Sequence, residues 1–224
     1  MTREIHDHWF REAKRAGWRS RAAFKLIEID DKRDVLRNGD RVLDLGAAPG
    51  SWLQVAAERV GQRGLVVGID LQLIRSDFRT NNIHLLQADA AALDPAHLVN
   101  LGLASDLKFD VVLSDMAPAT TGNKDTDHYR SMRLCQLVLD LATRWLRPGG
   151  NLVMKTFEGP SSGELTDRVR DMFASVRSAK PKASRSESRE MFLVGHGRVR
   201  DLEVVRPGMD PTGGPPPVRP GWNS

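Results

Sequence analysis

The sequence predicts an α/β domain, a mostly parallel sheet with helices on both faces. Three observations predict it. Short apolar runs alternate with helical stretches at the spacing of βαβ units. The runs are apolar at nearly every position, as strands buried on both sides are. And 224 residues, 40% of them hydrophobic and 28% charged, suffice for one globular domain with a sizeable core.

Residues 20–33 read as a helix, with Ser20 at its N-cap and Ala23, Phe24, Leu26 and Ile27 as its apolar stripe. Asn38-Gly39-Asp40 is a turn. Residues 41–45 form a buried strand, and a helix over 51–60 ends at Gly61. Residues 65–69 and 83–86 are the next strands, and 94–104 carry a weaker helical pattern. A strand over 109–113 precedes the longest helix, 127–146, which Pro148-Gly149-Gly150 stops. Residues 151–154 are a strand, 162–174 a helix and 191–194 the last strand. Internal repeats are absent. Ten of the eighteen residues over 207–224 are Pro or Gly, so 201–224 is expected to be a disordered tail behind a domain of residues 1–200, with Trp222 its one side chain suited to docking.

The net charge of +4 hides an uneven distribution. Residues 1–25 carry seven cations against three carboxylates, and residues 175–200 carry seven against two. The remainder is therefore acidic. Two basic segments that meet in space would suit a phosphate backbone. A single cysteine, Cys135, excludes an internal disulfide, and the six histidines show no metal-ligand spacing, so no metal is expected. No apolar stretch approaches the ~18 residues of a membrane span. The N-terminus is polar, without the pattern of a signal peptide, so a cytoplasmic protein is expected.

Asp44-Leu45-Gly46-Ala47-Ala48-Pro49-Gly50 lies between the first strand and the following helix. Ligands of such sheets bind outside the carboxyl ends of the strands. The loop lacks the third glycine of a dinucleotide-binding turn, which argues against a nicotinamide oxidoreductase. Asp44 would repel a pyrophosphate but could hold an ammonium. Asp70, ending the second strand, suits two ribose hydroxyls, and Asp89, after the third, an exocyclic amine; both also suit helix caps. A cofactor with an amino-acid end, a ribose and an adenine but no phosphate is S-adenosylmethionine.

Five strings then stand out: Trp18-Arg19-Ser20-Arg21-Ala22-Ala23-Phe24-Lys25-Leu26, Asp44 through Trp52, Ser114-Asp115-Met116-Ala117-Pro118, Val153-Met154-Lys155-Thr156-Phe157, and Ser184-Arg185-Ser186-Glu187-Ser188-Arg189-Glu190. In order and spacing, over about residues 6–197, they resemble the FtsJ-type ribosomal RNA ribose 2′-O-methyltransferases. Trp18 stands where that family often has Tyr, which keeps an aromatic face. The resemblance implies a Rossmann-like S-adenosylmethionine-dependent methyltransferase fold with an antiparallel C-terminal strand. It implies a catalytic tetrad of Lys25, Asp115, Lys155 and Glu190. It implies cofactor contacts at Gly50, Trp52, Asp70, Asp89 and Asp115, which join Asp44 and Gly46 from the loop itself. Its substrate would be a uridine ribose in large-subunit ribosomal RNA, within the subunit or its precursor. A monomer is expected.

The chemistry is consistent with that. A ribose hydroxyl must lose its proton as it attacks a sulfonium methyl, and a positioned base contributes ~10²–10⁴-fold. Lys155 is the expected proton acceptor, if its neutral form is populated. Lys25 would lower its pKa, whereas Asp115 and Glu190 would raise it. The loop after Ser114 has one proline and no aromatic, unlike the base-clamping loop of amino-group methyltransferases. Lys14, Arg19 and Arg21 flank Lys25, and Arg185 and Arg189 flank Glu190, so these five are the expected RNA contacts, within an N-terminal segment 1–36 and the second basic segment. Trp9, Phe10 and Trp18 could stack on an unpaired base or pack in the core. The alternatives are the same reaction on transfer RNA or an RNA cap, or a non-catalytic RNA-binding member of the fold.

Overall fold

The computed structural model describes residues 2–185 and 188–199, with side chains described from residue 8 onward. The expected tail and Trp222 lie outside the described residues, as do Ser186, Glu187 and Arg200. The chain runs α1 (Thr2–Ala16), α2 (Ala22–Arg33), β1 (Arg41–Leu45), α3 (Ser51–Val60), β2 (Leu65–Asp70), β3 (Ile83–Gln87), α4 (Pro95–Asn100), β4 (Phe109–Ser114), α5 (Lys124–Trp145), β5 (Leu146–Phe157), α6 (Ser162–Met172), β6 (Phe173–Ala179) and β7 (Glu190–Arg198).

These strands form one sheet in the order β3-β2-β1-β4-β5-β7-β6. β1 to β5 are parallel; β7 runs antiparallel to β5, and β6 antiparallel to β7. The chain leaves β1 toward β2 and β3, then returns to place β4 on β1's other side. The crevice between the ends of β1 and β4 is thus a topological switch point, where ligands of open α/β sheets bind.

Alternating side chains divide the core into two layers. Leu43, Leu45, Val112 and Met154 face α4, α5 and α6. Val42, Leu113, Val153 and Phe192 face α2 and α3, where they meet Leu26, Ile29, Trp52 and Leu53. Gly61 closes α3 as expected, its N–H bonding Ala57 O at 3.1 Å.

Several boundaries differ from the sequence reading. Ser20 is not the N-cap residue of α2; Arg21 holds that position without a side-chain cap. Ser20 Oγ instead accepts from Ala22 N at 3.2 Å and meets Ser51 Oγ at 2.9 Å. α5 begins earlier than expected because Asn123 caps it, accepting from Asp125 N and Thr126 N. α4 is shorter, started by an Asp94–His97 capping box. β5 starts at Leu146, runs through Pro148-Gly149-Gly150, and shifts register against β4 there. α6 stops at Met172, and β6, an edge strand read as helix end and basic loop, takes over. Among the described residues no helix is long and apolar enough to cross a membrane.

Phe192 is fully buried, with its ring centroid 5.7 Å from that of Trp52. Phe192→Ala should cost about 3–5 kcal/mol of unfolding free energy, read by urea denaturation. A loss under 1 kcal/mol would show that the α2–α3 layer repacks freely.

Candidate active site

The two-residue period of the strands decides where the catalytic candidates point. Lys155 shares a face with Val153, Asp115 continues the parity of Leu113, and Glu190 that of Phe192, so all three turn toward the α2 layer. The reversed direction of β7 matters most. Its first residue, Glu190, pairs with Phe157 at the carboxyl end of β5. On α2, Lys25 lies one turn before the buried Ile29 and faces inward.

The four side chains close into a ring. Lys25 Nζ sits 2.7 Å from Glu190 Oε1 and 4.0 Å from Asp115 Oδ1. Lys155 Nζ is 2.9 Å from Asp115 Oδ1 and 3.1 Å from Glu190 Oε2, and it also donates to Asp115 O at 3.2 Å. Two residues not singled out in the sequence hold Glu190: Ser184 Oγ donates to its Oε1 at 2.8 Å, and Ser188 Oγ accepts from its N–H at 3.1 Å. Hydroxyls two and six residues before an acid were a readable signal. The two basic segments therefore do meet, at Lys25 and Glu190.

Burial opposes the charges of Glu190 and Lys155, but their neighbours prevail. Desolvation pushes the Glu190 carboxyl up, whereas Lys155 and Lys25 pull it down more strongly, to about 2. Desolvation pushes Lys155 down, and Asp115 with Glu190 raises it above its ordinary value. The competition left open by the sequence thus resolves in favour of a protonated Lys155 at rest.

A cleft of about 380 Å³ opens beside the ring, within the ~300–1,000 Å³ of ligand sites. Gly46, Asp70, Asp89, Asp115, Met116 and Leu134 are among its walls. Gly46 has φ +75°, and a side chain there would overlap Met116. Asp70 accepts from Ala48 N at 2.9 Å and Gln72 N at 2.8 Å, and Asp89 Oδ1 from Ala91 N at 2.9 Å. Asp115 belongs to both cleft and ring.

Three of the expected cofactor residues do not line the cleft. Asp44 lies behind the cleft, 1% exposed, with no hydrogen-bond partner for either carboxylate oxygen among the described residues. Its carboxyl is pushed well above the usual range by desolvation, then by Asp115 and Asp70. The Trp52 side chain is packed in the core and donates Nε1–H to Ala22 O at 2.8 Å, so the indole is committed to structure. Gly50 does not line the cleft; Arg19, Phe78 and Ile74 close over it.

The RNA candidates also divide. Arg19 is structural: its guanidinium stacks 3.8 Å from the Phe78 centroid, donates to Pro49 O at 2.9 Å and pairs with Asp77. Lys14 and Arg185 are exposed, and Arg21 lies near enough to Arg185 to be lowered by it, after desolvation. Arg189 donates to Lys124 O at 3.1 Å, tying its loop to α5. Trp9 packs on Phe24 with centroids 5.1 Å apart, Trp18 packs against the α2 layer, and Phe10 stays 64% exposed. His128, unremarked in the sequence, is buried and binds Phe157 O and Ser161 N at 2.8 and 3.1 Å, fixing the loop after β5. Among the described residues no cluster could hold a metal ion.

The profile of the FtsJ-like methyltransferases matches residues 18–198. The chain belongs to that family. This FtsJ-like methyltransferase is 45% identical over 206 residues to ribosomal RNA large subunit methyltransferase E of Acidiphilium cryptum, covering 88% of the chain and 84% of the relative. It is 43% identical over 202 residues to the protein of the same name in Bdellovibrio bacteriovorus, covering 87% and 98%. Among solved structures, a Plasmodium falciparum protein described as a ribosomal RNA methyltransferase superposes with a TM-score of 0.69 at 31% identity, covering 81% of this chain and 99% of that one. Aeropyrum pernix fibrillarin, solved with S-adenosylmethionine bound, shares the fold alone, with a TM-score of 0.52 at 17% identity over 72% and 68% of the chains.

Because Glu190 is lowered to about 2 in the folded methyltransferase, its contribution to stability is present above the unfolded-state carboxyl value and lost as pH falls through that range. Glu190→Gln should lower neutral-pH stability by about 3 kcal/mol and flatten the acid limb of the stability–pH curve. An unchanged acid limb would show that the ring does not hold this charge.

Proposed function

We propose that this methyltransferase moves a methyl group from S-adenosylmethionine to a ribose 2′-hydroxyl, that of a uridine in large-subunit ribosomal RNA, in the assembled subunit or its precursor. One observation carries the chemistry: Asp115 is at once a wall of the cleft and the partner of Lys155 Nζ at 2.9 Å. The hydroxyl to be methylated would then lie where cleft and ring meet. The choice of RNA is supported by relatives named for ribosomal RNA.

The residues fit the cofactor. Asp70 keeps lone pairs for ribose hydroxyls beyond its two backbone donors, since a carboxylate accepts about four hydrogen bonds. Asp89 accepts from Ala91 N through Oδ1, and its other oxygen suits an exocyclic amine. S-adenosylmethionine, when bound, supplies a methyl on a sulfonium cation, whose charge opposes the proton on Lys155. Lys155 would lose its proton to solvent before the reaction, and its neutral amine would then accept the proton of the hydroxyl, while Lys25 holds Glu190 and Asp115 holds Lys155 Nζ in line. The rest is positioning. The protein would act as a monomer in the cytoplasm, with Lys14, Arg21, Arg185 and Arg189 toward the RNA.

Lys155→Ala should reduce single-turnover methyl transfer by about 10²–10⁴-fold and leave S-adenosylmethionine affinity within a few-fold. In the unaltered enzyme the rate should climb with pH through the neutral range, because the raised Lys155 supplies more base as pH rises. A flat profile, or near-normal transfer by Lys155→Ala, would defeat the assignment of the base. The substrate is tested by mapping 2′-O-methylation on total RNA from cells with and without the protein. Loss of one methyl in large-subunit ribosomal RNA is expected; unchanged ribosomal RNA with a change in transfer RNA would redirect the reading.

A further inference from the structure

A groove lies at the edge of the sheet, beside the helix that carries Lys25. Its walls are α2 and the edge strand β6. From Lys25 the helix continues through Glu28, Lys32 and Arg33, spaced so that one face runs along the groove. Across from it stand Ser178 and Ala179 of β6 and, just beyond the strand, Lys180 and Pro181, which line with Lys32 and Arg33 a cavity of about 150 Å³ floored by Ile29. The segment after Lys180 continues to Lys182 and then to Ser184, which bonds Glu190. One stretch of chain, 180–184, therefore links the cavity to the ring.

Its charge is one-sided. Lys32, Arg33 and Lys180 line it with a single carboxylate, Glu28, and Arg177 and Lys182 lie close by along the chain. That carboxylate is fully engaged, Oε1 accepting from Lys32 Nζ at 2.6 Å and Oε2 from Lys182 N at 2.7 Å. One further observation asks for an anion. Arg33 Nε is buried and has no hydrogen-bond partner among the described residues. Such donors are rare and costly unless something completes them. Lower down, Arg33, Arg37 and Arg177 all bear on His196, opposed by Asp34, so the cations outnumber the one carboxylate there three to one.

We propose that the α2–β6 groove binds the phosphate backbone of the substrate RNA, a continuation of the strand whose ribose is held at the ring. This rests on the RNA reading above. A single free phosphate would need only the cavity, whereas the cations run from the ring to the far end of α2. Phosphate contacts of this kind set register and carry affinity without reading sequence. None of these five cations reaches the reacting atoms, so the groove acts on how RNA is held. The competing account of Arg177 is that a charge guards the unpaired outer edge of β6 against pairing with another chain.

The test is equilibrium binding of full-length protein to labelled polyuridylate and to a short uridylate oligomer, across a range of salt concentrations. Each lost phosphate contact should lower the slope of log affinity against log salt by about 0.7 for a single strand. K32Q/K180Q, which leaves β6 itself unaltered, should lower it by about 1.4, and adding R177Q by about 2. Affinity for the short oligomer, melting temperature and S-adenosylmethionine binding should not move. Substituting Arg63, Arg133 and Arg170 to Gln, off the groove, should leave the slope as it is. An unchanged slope in K32Q/K180Q, with or without self-association of the R177Q variant, overturns the groove alone. Wild-type protein that binds neither polymer overturns the RNA reading and the groove with it.

Discussion

Four charges share a space from which water is largely excluded, and none is tolerable there without the others. The side chains of Lys25, Lys155 and Glu190 are 8–10% exposed, and that of Asp115 is 18% exposed. Desolvating a single ion costs several kcal/mol, and removing one partner from such a set leaves an uncompensated charge. Alternating signs around the ring cancel that cost. The same cancellation holds the proton on Lys155, so the arrangement that makes the resting fold stable is not yet the arrangement that reacts. Stability and chemistry pull on the same four atoms in opposite directions.

The sheet exists, in this sense, to bring those atoms together. β4 and β5 deliver Asp115 and Lys155 at the carboxyl ends of parallel strands. Glu190 arrives from far along the chain only because β7 runs the other way. α2 lies across that end, held by the Trp52–Ala22 and Arg19–Pro49 bonds, so Lys25 is presented by a helix fixed to the cofactor loop. The N-terminal segment is built into the site.

What was legible in the sequence were the features dictated locally. β1, β2 and β4 are mostly apolar runs, and the ring residues stand within short strings of fixed order. β6 was not legible, because an edge strand exposed on one side, Phe173–Ala179, has neither an apolar run nor clean alternation. Nor was the role of Arg19, whose partner Asp77 lies 58 residues away. Trp52 was placed in the cofactor site by the family resemblance alone; the Ala22 carbonyl that its indole N–H reaches is a tertiary fact. The balance of forces on Lys155 needed distances, not composition.

Asp115 is one carboxylate with two clients. Whatever occupies the cleft competes with Lys155 for its field, and whatever changes the protonation of Lys155 changes what the cleft feels. Linkage of this kind is reciprocal: if donor binding eases the proton from the lysine, then losing that proton must tighten the donor by the same factor. The two substrates need not touch to sense each other. A single oxygen, shared between a wall and a ring, is enough to make the order of events at this site a thermodynamic property of the protein.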